Sequence, residues 1–117
     1  MTVMTIRECP VQVSELPATV NAKQARNFLR ELNGRLEERR PRIILDCSKA
    51  QHMDRTALHL MLCCLEEAMK RNGDVRLAAV SPGAKAVLDA SGIGRLFKIF
   101  KTRAEAIASF ASPPRNA

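Results

Sequence analysis

Apolar and polar positions along this chain follow two different periods in turn, which predicts short buried strands separated by helices. The opening segment places β-branched residues among polar neighbours around Pro10, and this predicts two short strands or one bulged strand. Two later apolar runs, at residues 43–47 and 75–80, are too brief for helices and are typical of strands covered on both faces. Residues 97–100 are interpreted as a short last strand.

Four stretches have apolar residues at the helical period, bounded by residues that favour the ends of helices. The predicted helices cover residues 21–38, 55–72, 82–91 and a C-terminal stretch after Thr102. Asn21 and Gln24 have the spacing of a capping box, and Ser81 followed by proline is typical of an N-cap. Gly73 and Gly92 are placed to end the second and third helices.

The later strands alternate with helices that are long enough to cross between parallel strands. The prediction is an α/β domain with a mostly parallel central sheet of four to five strands and about four helices. A length of 117 residues suits one domain with a core of its own. We assign residues 1–112 to this domain and residues 113–117 to a frayed tail.

The composition is that of an ordinary globular protein, with 46% hydrophobic and 26% charged residues. The chain has neither an apolar run long enough to span a bilayer nor the opening of a signal peptide, so we expect a cytoplasmic protein without membrane insertion. The cysteines form no C-x-x-C pair and have no metal-ligand spacing with histidine. We therefore expect reduced thiols and neither a metal nor a cofactor.

The net charge of +7 and the pI near 9.8 raise the question of an acidic partner, whether nucleic acid, anionic lipid or protein. Much of the excess lies in and just after the first predicted helix, at Lys23, Arg26, Arg30, Arg39, Arg40 and Arg42. Two interpretations stay open, a solvated helix face with a charged turn or a dedicated anion site. Nucleic-acid binding is disfavoured because the chain has no Trp, no Tyr and only 4 Phe for base stacking.

An ordered series of short motifs lies between the middle of the chain and its last helix. Asp46 and Ser48 follow a strand, Met53 and Asp54 close the next loop, and a helix opens with Arg55-Thr56-Ala57-Leu58. Further on lie Gly73, Asp74 and Leu77, then Ser81-Pro82, and then Leu88, Gly92 and Leu96-Phe97. From about Val11 onward this order and spacing resembles the STAS domain family, the group that includes bacterial anti-sigma factor antagonists.

The resemblance implies a STAS-like fold and a non-catalytic interaction module without a cofactor. Its expected partner is an anti-sigma factor or a serine-kinase-type regulator. The alternatives are an accessory subunit of an ABC-type transporter and, less favoured, a basic nucleic-acid-binding module. Enzymatic activity is not expected, because the chain has no Gly-rich phosphate loop, no paired carboxylates with a base and no Cys-His arrangement. Homodimerisation through the edge of the N-terminal strand stays open.

The resemblance also indicates a partner-binding surface, composed of Asp46, Ser48, Met53, Asp54, Arg55, Thr56 and His59. In phosphorylatable members of the family, the residue directly after the aspartate is a Ser or Thr that a partner kinase modifies. Here that residue is Arg55, which cannot accept a phosphate, and Thr56 is the only nearby hydroxyl that could replace it. Thr56 is therefore either a phosphoacceptor or a first-turn residue with local backbone contacts.

The other residues of this surface also have structural interpretations. Asp54 is predicted first of all to be an N-cap. Arg55 opposes the helix macrodipole, and either Asp54 and solvent or a carboxylate of the partner is expected to offset it. Asp46 and Ser48 either form hydrogen bonds within the loop or contact a partner at the carboxyl end of a central strand. His59 lies on the same helix stripe as Arg55 and is either a partner contact or an ordinary surface residue.

Overall fold

The computed structural model describes residues 11–35 and 40–111, in which strands and helices alternate from the first strand to the last helix. The strands are β1 (Val11–Glu15), β2 (Arg42–Asp46), β3 (Asp74–Ala78) and β4 (Ile99–Phe100). The helices are α1 (Ala22–Arg35), α2 (Arg55–Met69), α3 (Pro82–Ser91) and α4 (Arg103–Ala111), and a short 3₁₀ helix, Ile93–Leu96, precedes β4. The predicted α/β class is confirmed.

The four described strands form one sheet in the order β1-β2-β3-β4, and every neighbouring pair is parallel. Each strand is therefore followed by a helix that returns the chain to the same end of the sheet. The register places Glu15 beside Asp46 and Asp46 beside Ala78, so the carboxyl ends of the first three strands are level. The loop that follows Asp46 begins at this edge.

Helices cover both faces of the sheet, as the continuous apolar run of β2 predicts. Ile43 and Leu45 lie in the larger core cluster, which also contains buried residues of α1, α2 and α3. Ile44, between them, points to the opposite face and packs with Ala106 of α4. All three β2 residues are fully buried, so β2 is a central strand.

The predicted helix ends hold at several positions. The backbone N–H of Asn21 donates to Oε1 of Gln24 at 3.2 Å, and the N–H of Gln24 donates to Oδ1 of Asn21 at 2.8 Å, which is a complete capping box. Ser81 accepts from the N–H of Ala84 at 3.1 Å and begins α3. Gly92 ends α3 in the left-handed conformation, with φ of 81°.

The C-terminal end of α2 differs from the prediction. The helix ends at Met69, and Asn72 rather than Gly73 has the positive φ, 61°. Gly73 is needed for a different reason, because a Cβ on this residue would lie 2.3 Å from the carbonyl oxygen of Pro41. Asparagine tolerates the left-handed region because its short polar side chain can form local hydrogen bonds.

Other differences concern the ends of elements. β4 contains only Ile99–Phe100 of the predicted 97–100 strand, because the N–H of Phe97 donates to the carbonyl of Gly94 at 3.3 Å and closes the 3₁₀ helix. The predictions on residues 1–10, on the end of the first helix beyond Arg35 and on the 113–117 tail lie outside the described residues. Among the helices that the structure describes, none has the length and apolar character needed to cross a bilayer.

Candidate functional site

The loop between β2 and α2 is held from below by buried residues. The N–H of Cys47 donates to the carbonyl of Ala78 at 2.9 Å, and the N–H of Ala50 donates to the carbonyl of Cys47 at 3.0 Å. Ala50 and Met53 are 1% and 5% exposed and belong to the larger core cluster. The burial of Met53 means that it anchors the loop and offers almost no surface to a partner.

An ion-pair network at the carboxyl edge of the sheet fixes the start of this loop. We name it the carboxyl-edge network, and it consists of Glu15, Asp46, Lys49 and Arg103. Oδ2 of Asp46 accepts from Nε and Nη2 of Arg103 at 3.0 and 2.6 Å, and Nη2 of Arg103 also donates to Glu15 at 3.0 Å. Arg103 thereby connects α4 to the ends of both β1 and β2.

Asp46 is 5% exposed, and it is the buried charged residue of the described part of the chain. Burial alone would raise the pKa of its carboxyl, but hydrogen bonds from Ser48 and Arg103 outweigh burial and hold the pKa below its ordinary value. Oδ1 accepts the N–H of Ser48 at 2.9 Å, so the hydrogen bonding within the loop that was one interpretation of these two residues is present. The hydrogen bond from Arg103 to Asp46 raises the pKa of Arg103, so the pair stays ionised at neutral pH.

Sequence reasoning missed Arg103, which lies far from Asp46 along the chain. The parallel register supplies a signal that could have indicated a cation here. It brings two carboxylates, Glu15 and Asp46, side by side at the ends of neighbouring strands. Like charges in such positions repel each other unless a cation lies between them, and the first residue of α4 supplies that cation.

Asp54 is the N-cap of α2, as predicted. Its φ and ψ of −86° and −178° are extended, and its Oδ1 accepts from the N–H of Ala57 at 2.9 Å. The carboxylate is thereby directed toward the helix end, where its negative charge interacts favourably with the positive end of the helix dipole. The first residue of the helix, Arg55, consequently has a fixed backbone position.

Arg55 is exposed, and within residues 11–35 and 40–111 its side chain has no ion pair or hydrogen bond. The first turn of α2 contains no acidic side chain, and the carboxylate of Asp54 is not close enough to Arg55 to form an ion pair. One interpretation of the sequence was that Asp54 offsets the unfavourable charge of Arg55 at the helix end. Asp54 does so as the N-cap of α2 and does not form an ion pair with Arg55. At the positive end of the helix there is therefore a cation that has no partner in the described part of the chain.

Thr56 is half-buried, and its hydroxyl makes no hydrogen bond within the described ranges. The local backbone contacts that were one interpretation of Thr56 are thus not made by its side chain in this structure. His59 is exposed one turn further along the helix, with Nε2 at 3.6 Å from Sγ of Cys63. Arg55, Thr56 and His59 line the same groove between α1 and α2.

The three cysteines of the described residues, Cys47, Cys63 and Cys64, are not in surroundings that activate a thiol. Burial raises the pKa of both Cys47 and Cys64 to about 12, so each remains a thiol at neutral pH. Burial, together with the nearby carboxylates of Glu66 and Glu67, also raises the pKa of Cys63. Across the part of the chain that the structure describes, no three His, Cys, Asp or Glu side chains lie close enough together to hold a metal ion.

The structure thus separates the sequence-predicted site residues into two layers. Ser48, Asp54, Arg55 and His59 are exposed and Thr56 is half-buried, so these side chains can form a contact surface. Asp46 and Met53 are buried and support the loop from beneath. Of the seven predicted residues, these two are therefore not accessible to a partner, because their side chains fill the space between the loop and the sheet.

The predicted basic residues do not share one environment. Lys23, Arg26 and Arg30 are exposed on α1, and Arg40 is exposed in the turn before β2. Arg42 is half-buried as the first residue of β2, and Arg39 lies outside the described residues. Arg26 lines the groove with Arg55, whereas Arg40 and Arg42 line a separate pocket near Phe110 at the other end of the strands.

Comparisons with known proteins agree with this architecture. The curated relative BtrV of Bordetella bronchiseptica, which is named as an anti-sigma factor antagonist, is 23% identical over 95 residues, covering 81% of this chain and 82% of BtrV. The structure of an anti-sigma-factor antagonist (STAS) domain protein from Planctomyces limnophilus has a TM-score of 0.76 at 20% identity, covering 92% of this chain and 96% of that one.

A sulfate transporter family protein from Wolinella succinogenes has a TM-score of 0.64 at 22% identity, with 88% of each chain covered. At these identities the structural likenesses establish the fold. The family follows from the match between the STAS domain model and residues 7–106, which include all four described strands and the first turn of the last helix. The chain belongs to the STAS domain family.

Proposed function

We propose that this protein is a non-catalytic regulator that binds an anti-sigma factor or a related serine-kinase-type signalling protein in the cytoplasm. The contact surface is formed by Ser48, Asp54, Arg55, Thr56 and His59. The observation that carries the proposal is the exposed arginine on the first residue of α2, which has no ion pair among the described residues and follows a loop that is anchored by buried residues. The name of the relative BtrV supports the class of partner.

A fixed cation at this position has a physical cost that a partner can offset. The unpaired N–H groups at the start of a helix make its N-terminus positive, so a cation there is unfavourable by roughly 0.3–1 kcal/mol at an exposed site. A carboxylate on the partner would contact both the guanidinium of Arg55 and the positive end of α2. In this proposal Arg55 is a permanent contact at the position where phosphorylatable members carry a switch.

The test compares wild-type protein with Arg55→Glu, and uses Arg95→Glu as a control with the same change of charge. Arg95 is exposed in the 3₁₀ helix and lies outside the proposed surface. Proteins retained from native cytosol are identified by mass spectrometry, and the retained partner is then purified and titrated calorimetrically. We expect Arg55→Glu to weaken binding by about tenfold or more and Arg95→Glu to change it less than about twofold.

Thermal unfolding of the same variants excludes loss of folding as the cause. Glutamate in the first turn of α2 interacts favourably with the helix dipole, so the melting temperature of Arg55→Glu should equal or exceed that of wild type. Equal binding by Arg55→Glu and wild type would sink the proposal. The class of partner proposed is wrong if the retained protein is an ATP-binding transporter subunit or if binding requires nucleic acid.

The mass of wild-type protein recovered from the cytosol tests the other part of the proposal. An unmodified mass agrees with a fixed contact at Arg55. Protein phosphorylated at Thr56 could instead be recovered, with an affinity for the partner that differs from that of unmodified protein. If Thr56→Ala removes this difference, the switch lies one residue further along α2. Thr56 is half-buried, so phosphorylation there would also require a local rearrangement of the groove.

A further inference from the structure

The groove between α1 and α2 extends the proposed contact surface onto a second helix. It has a volume of about 430 Å³. We propose, on the basis of the proposed function, that an acidic amphipathic helix of the protein partner occupies this groove. Its apolar side chains would pack between α1 and α2, and its carboxylates would pair with Arg26 and Arg55.

The floor of the groove is apolar, and only small side chains lie above it. Ala22 and Ala25 of α1 lie in the groove, and their small side chains leave space above Leu60 of α2. Leu29 is half-buried beside them, and Leu60 is buried in the core. Volumes of about 300–1,000 Å³ are usual for sites that receive a ligand or an anchoring side chain, so the groove is large enough for more than a single methyl contact.

The rim of the groove is basic, and none of the described residues that line it is acidic. Arg26 and Arg55 are exposed, and neither has an ion pair within residues 11–35 and 40–111. His59 lies between Thr56 and Cys63 on the same wall. An apolar floor below two exposed guanidinium groups is complementary to a surface that carries leucine-like side chains flanked by carboxylates.

The opposite side of α1 shows why the charge of the partner matters. A second groove lies there, against β1, and Glu15 and Glu31 line it together with Phe28. The two grooves flank the same helix but present charges of opposite sign. An acidic helix is attracted to the α1–α2 groove, whereas Glu31 in the groove against β1 repels it, so the charge of the partner favours one of the two grooves.

A helix is the occupant that fits this geometry best. Two helices that pack side by side leave a groove along their length, and an amphipathic helix fills such a groove with residues spaced i, i+3, i+4 and i+7. The carboxylates beside that apolar stripe then lie over the rim, where Arg26 and Arg55 extend from the two walls. The contact buries apolar surface and pairs two cations at the same time.

The experiment uses a fluorescently labelled helical peptide of roughly 18 residues, with leucines at i, i+3, i+4 and i+7 and glutamates beside them. A matched peptide has glutamine at each glutamate position. Fluorescence anisotropy with the full chain should show the acidic peptide binding at least about tenfold more tightly than the glutamine peptide. Amide chemical shifts should change at Leu29, His59 and Cys63.

Two variants and a matched control assign the binding to the groove. Arg26→Glu should weaken the acidic peptide by about tenfold or more, whereas Arg30→Glu, on an exposed residue of α1 that does not line the groove, should change it by less than about twofold. Ala22→Trp, at the exposed start of α1, should weaken both peptides because the indole fills the groove. Equal binding of both peptides, undetectable binding, or equal effects of Arg26→Glu and Arg30→Glu would overturn the inference.

The same variants, titrated with the partner purified from cytosol, distinguish this inference from the proposed function. If Arg55→Glu weakens the partner and Arg26→Glu does not, the contact surface at the start of α2 stands and the groove is not its extension. If neither variant weakens the partner, both proposals are wrong. A loss with both variants, with Arg30→Glu unchanged, supports both proposals.

Discussion

Replacement of Asp46 by asparagine removes the central charge of the carboxyl-edge network while keeping the size of the side chain. In the wild type, Oδ2 accepts two hydrogen bonds from Arg103 and Oδ1 accepts one from the N–H of Ser48. Asparagine retains one acceptor oxygen and turns an NH₂ group toward the other partner. If the asparagine oxygen accepts from Ser48, its NH₂ group faces the guanidinium of Arg103. Both groups are hydrogen-bond donors, so no hydrogen bond forms between them.

The expected loss follows from the burial of this carboxylate. Hydrogen bonds to a charged group contribute about 1.5–3 kcal/mol, and breaking a fully buried ion pair costs about 3–5 kcal/mol. The Asp46 side chain is 7% exposed, but that of Arg103 is 45% exposed, so water replaces part of what Arg103 loses. We therefore expect Asp46→Asn to lower the free energy of unfolding by about 2 kcal/mol, which for a domain of this size is about 8 °C in melting temperature.

Urea unfolding at neutral pH measures this loss, with Asp89→Asn as the control. Asp89 pairs with Lys85 at 3.1 Å, but its side chain is 59% exposed, so its replacement should cost less than about 0.5 kcal/mol. The slope of the free energy against urea should stay unchanged in both variants, because neither changes the surface that unfolding exposes. A loss for Asp46→Asn no larger than that of Asp89→Asn would refute the reasoning.

The pH dependence tests whether the charge is the cause. The folded-state pKa of Asp46 lies below its value in the unfolded chain, which is about 3.9. Its contribution to stability is therefore fully present above about pH 4 and is lost as the pH falls through the folded-state pKa. The difference in stability between wild type and Asp46→Asn should shrink in that range, and a difference that stays constant on acidification would contradict the charge-based explanation.

Two further predictions concern the ends of α2. Asp54→Ala should lower the free energy of unfolding by about 1 kcal/mol because the N–H of Ala57 loses its acceptor, and Asp54→Asn, which keeps an acceptor, should lose less than half of that in the same urea titration. Gly73→Ala should lower the free energy of unfolding by about 1–3 kcal/mol because the added Cβ meets the carbonyl of Pro41. Gly34→Ala, with open space around it, should stabilise α1 by about 0.5–1 kcal/mol. Equal melting temperatures of the two alanine variants would contradict this.

The order of elements was predictable because local sequence signals, such as helix caps, mark the ends of nearly every element. The reciprocal capping box at Asn21 and Gln24, the Ser81 cap and the left-handed Gly92 depend only on residues within one helical turn, which is the distance over which sequence patterns are informative. The buried run of β2 likewise predicts a central strand. Asp54 as the N-cap of α2 belongs to the same class of local prediction.

The features that sequence reasoning missed depend on contacts between distant segments. Arg103 approaches Asp46 only because α4 returns to the sheet edge after β4. A glycine is needed at position 73 because Pro41 leaves no space for a Cβ, and the pairing of β2 with β3 brings these two residues together. The burial of Met53 and Asp46 likewise follows from how the loop lies on the sheet, so the pattern identified the loop but did not show which of its side chains face outward.

The division of the site into a buried support and an exposed surface bears on how a fixed arginine could replace a switch. A phosphate acts by adding charge to a helix end, which then either gains or loses a partner. Here the support beneath the loop, from Asp46 and Met53 to the cap at Asp54, holds the start of α2 in one conformation. Such preorganisation lowers the conformational cost of binding, and it holds Arg55 in place without any modification. If Arg55 is the contact that we propose, control of the complex lies in the partner, in its concentration or in its own charge, rather than at Arg55, because an arginine cannot accept a phosphate.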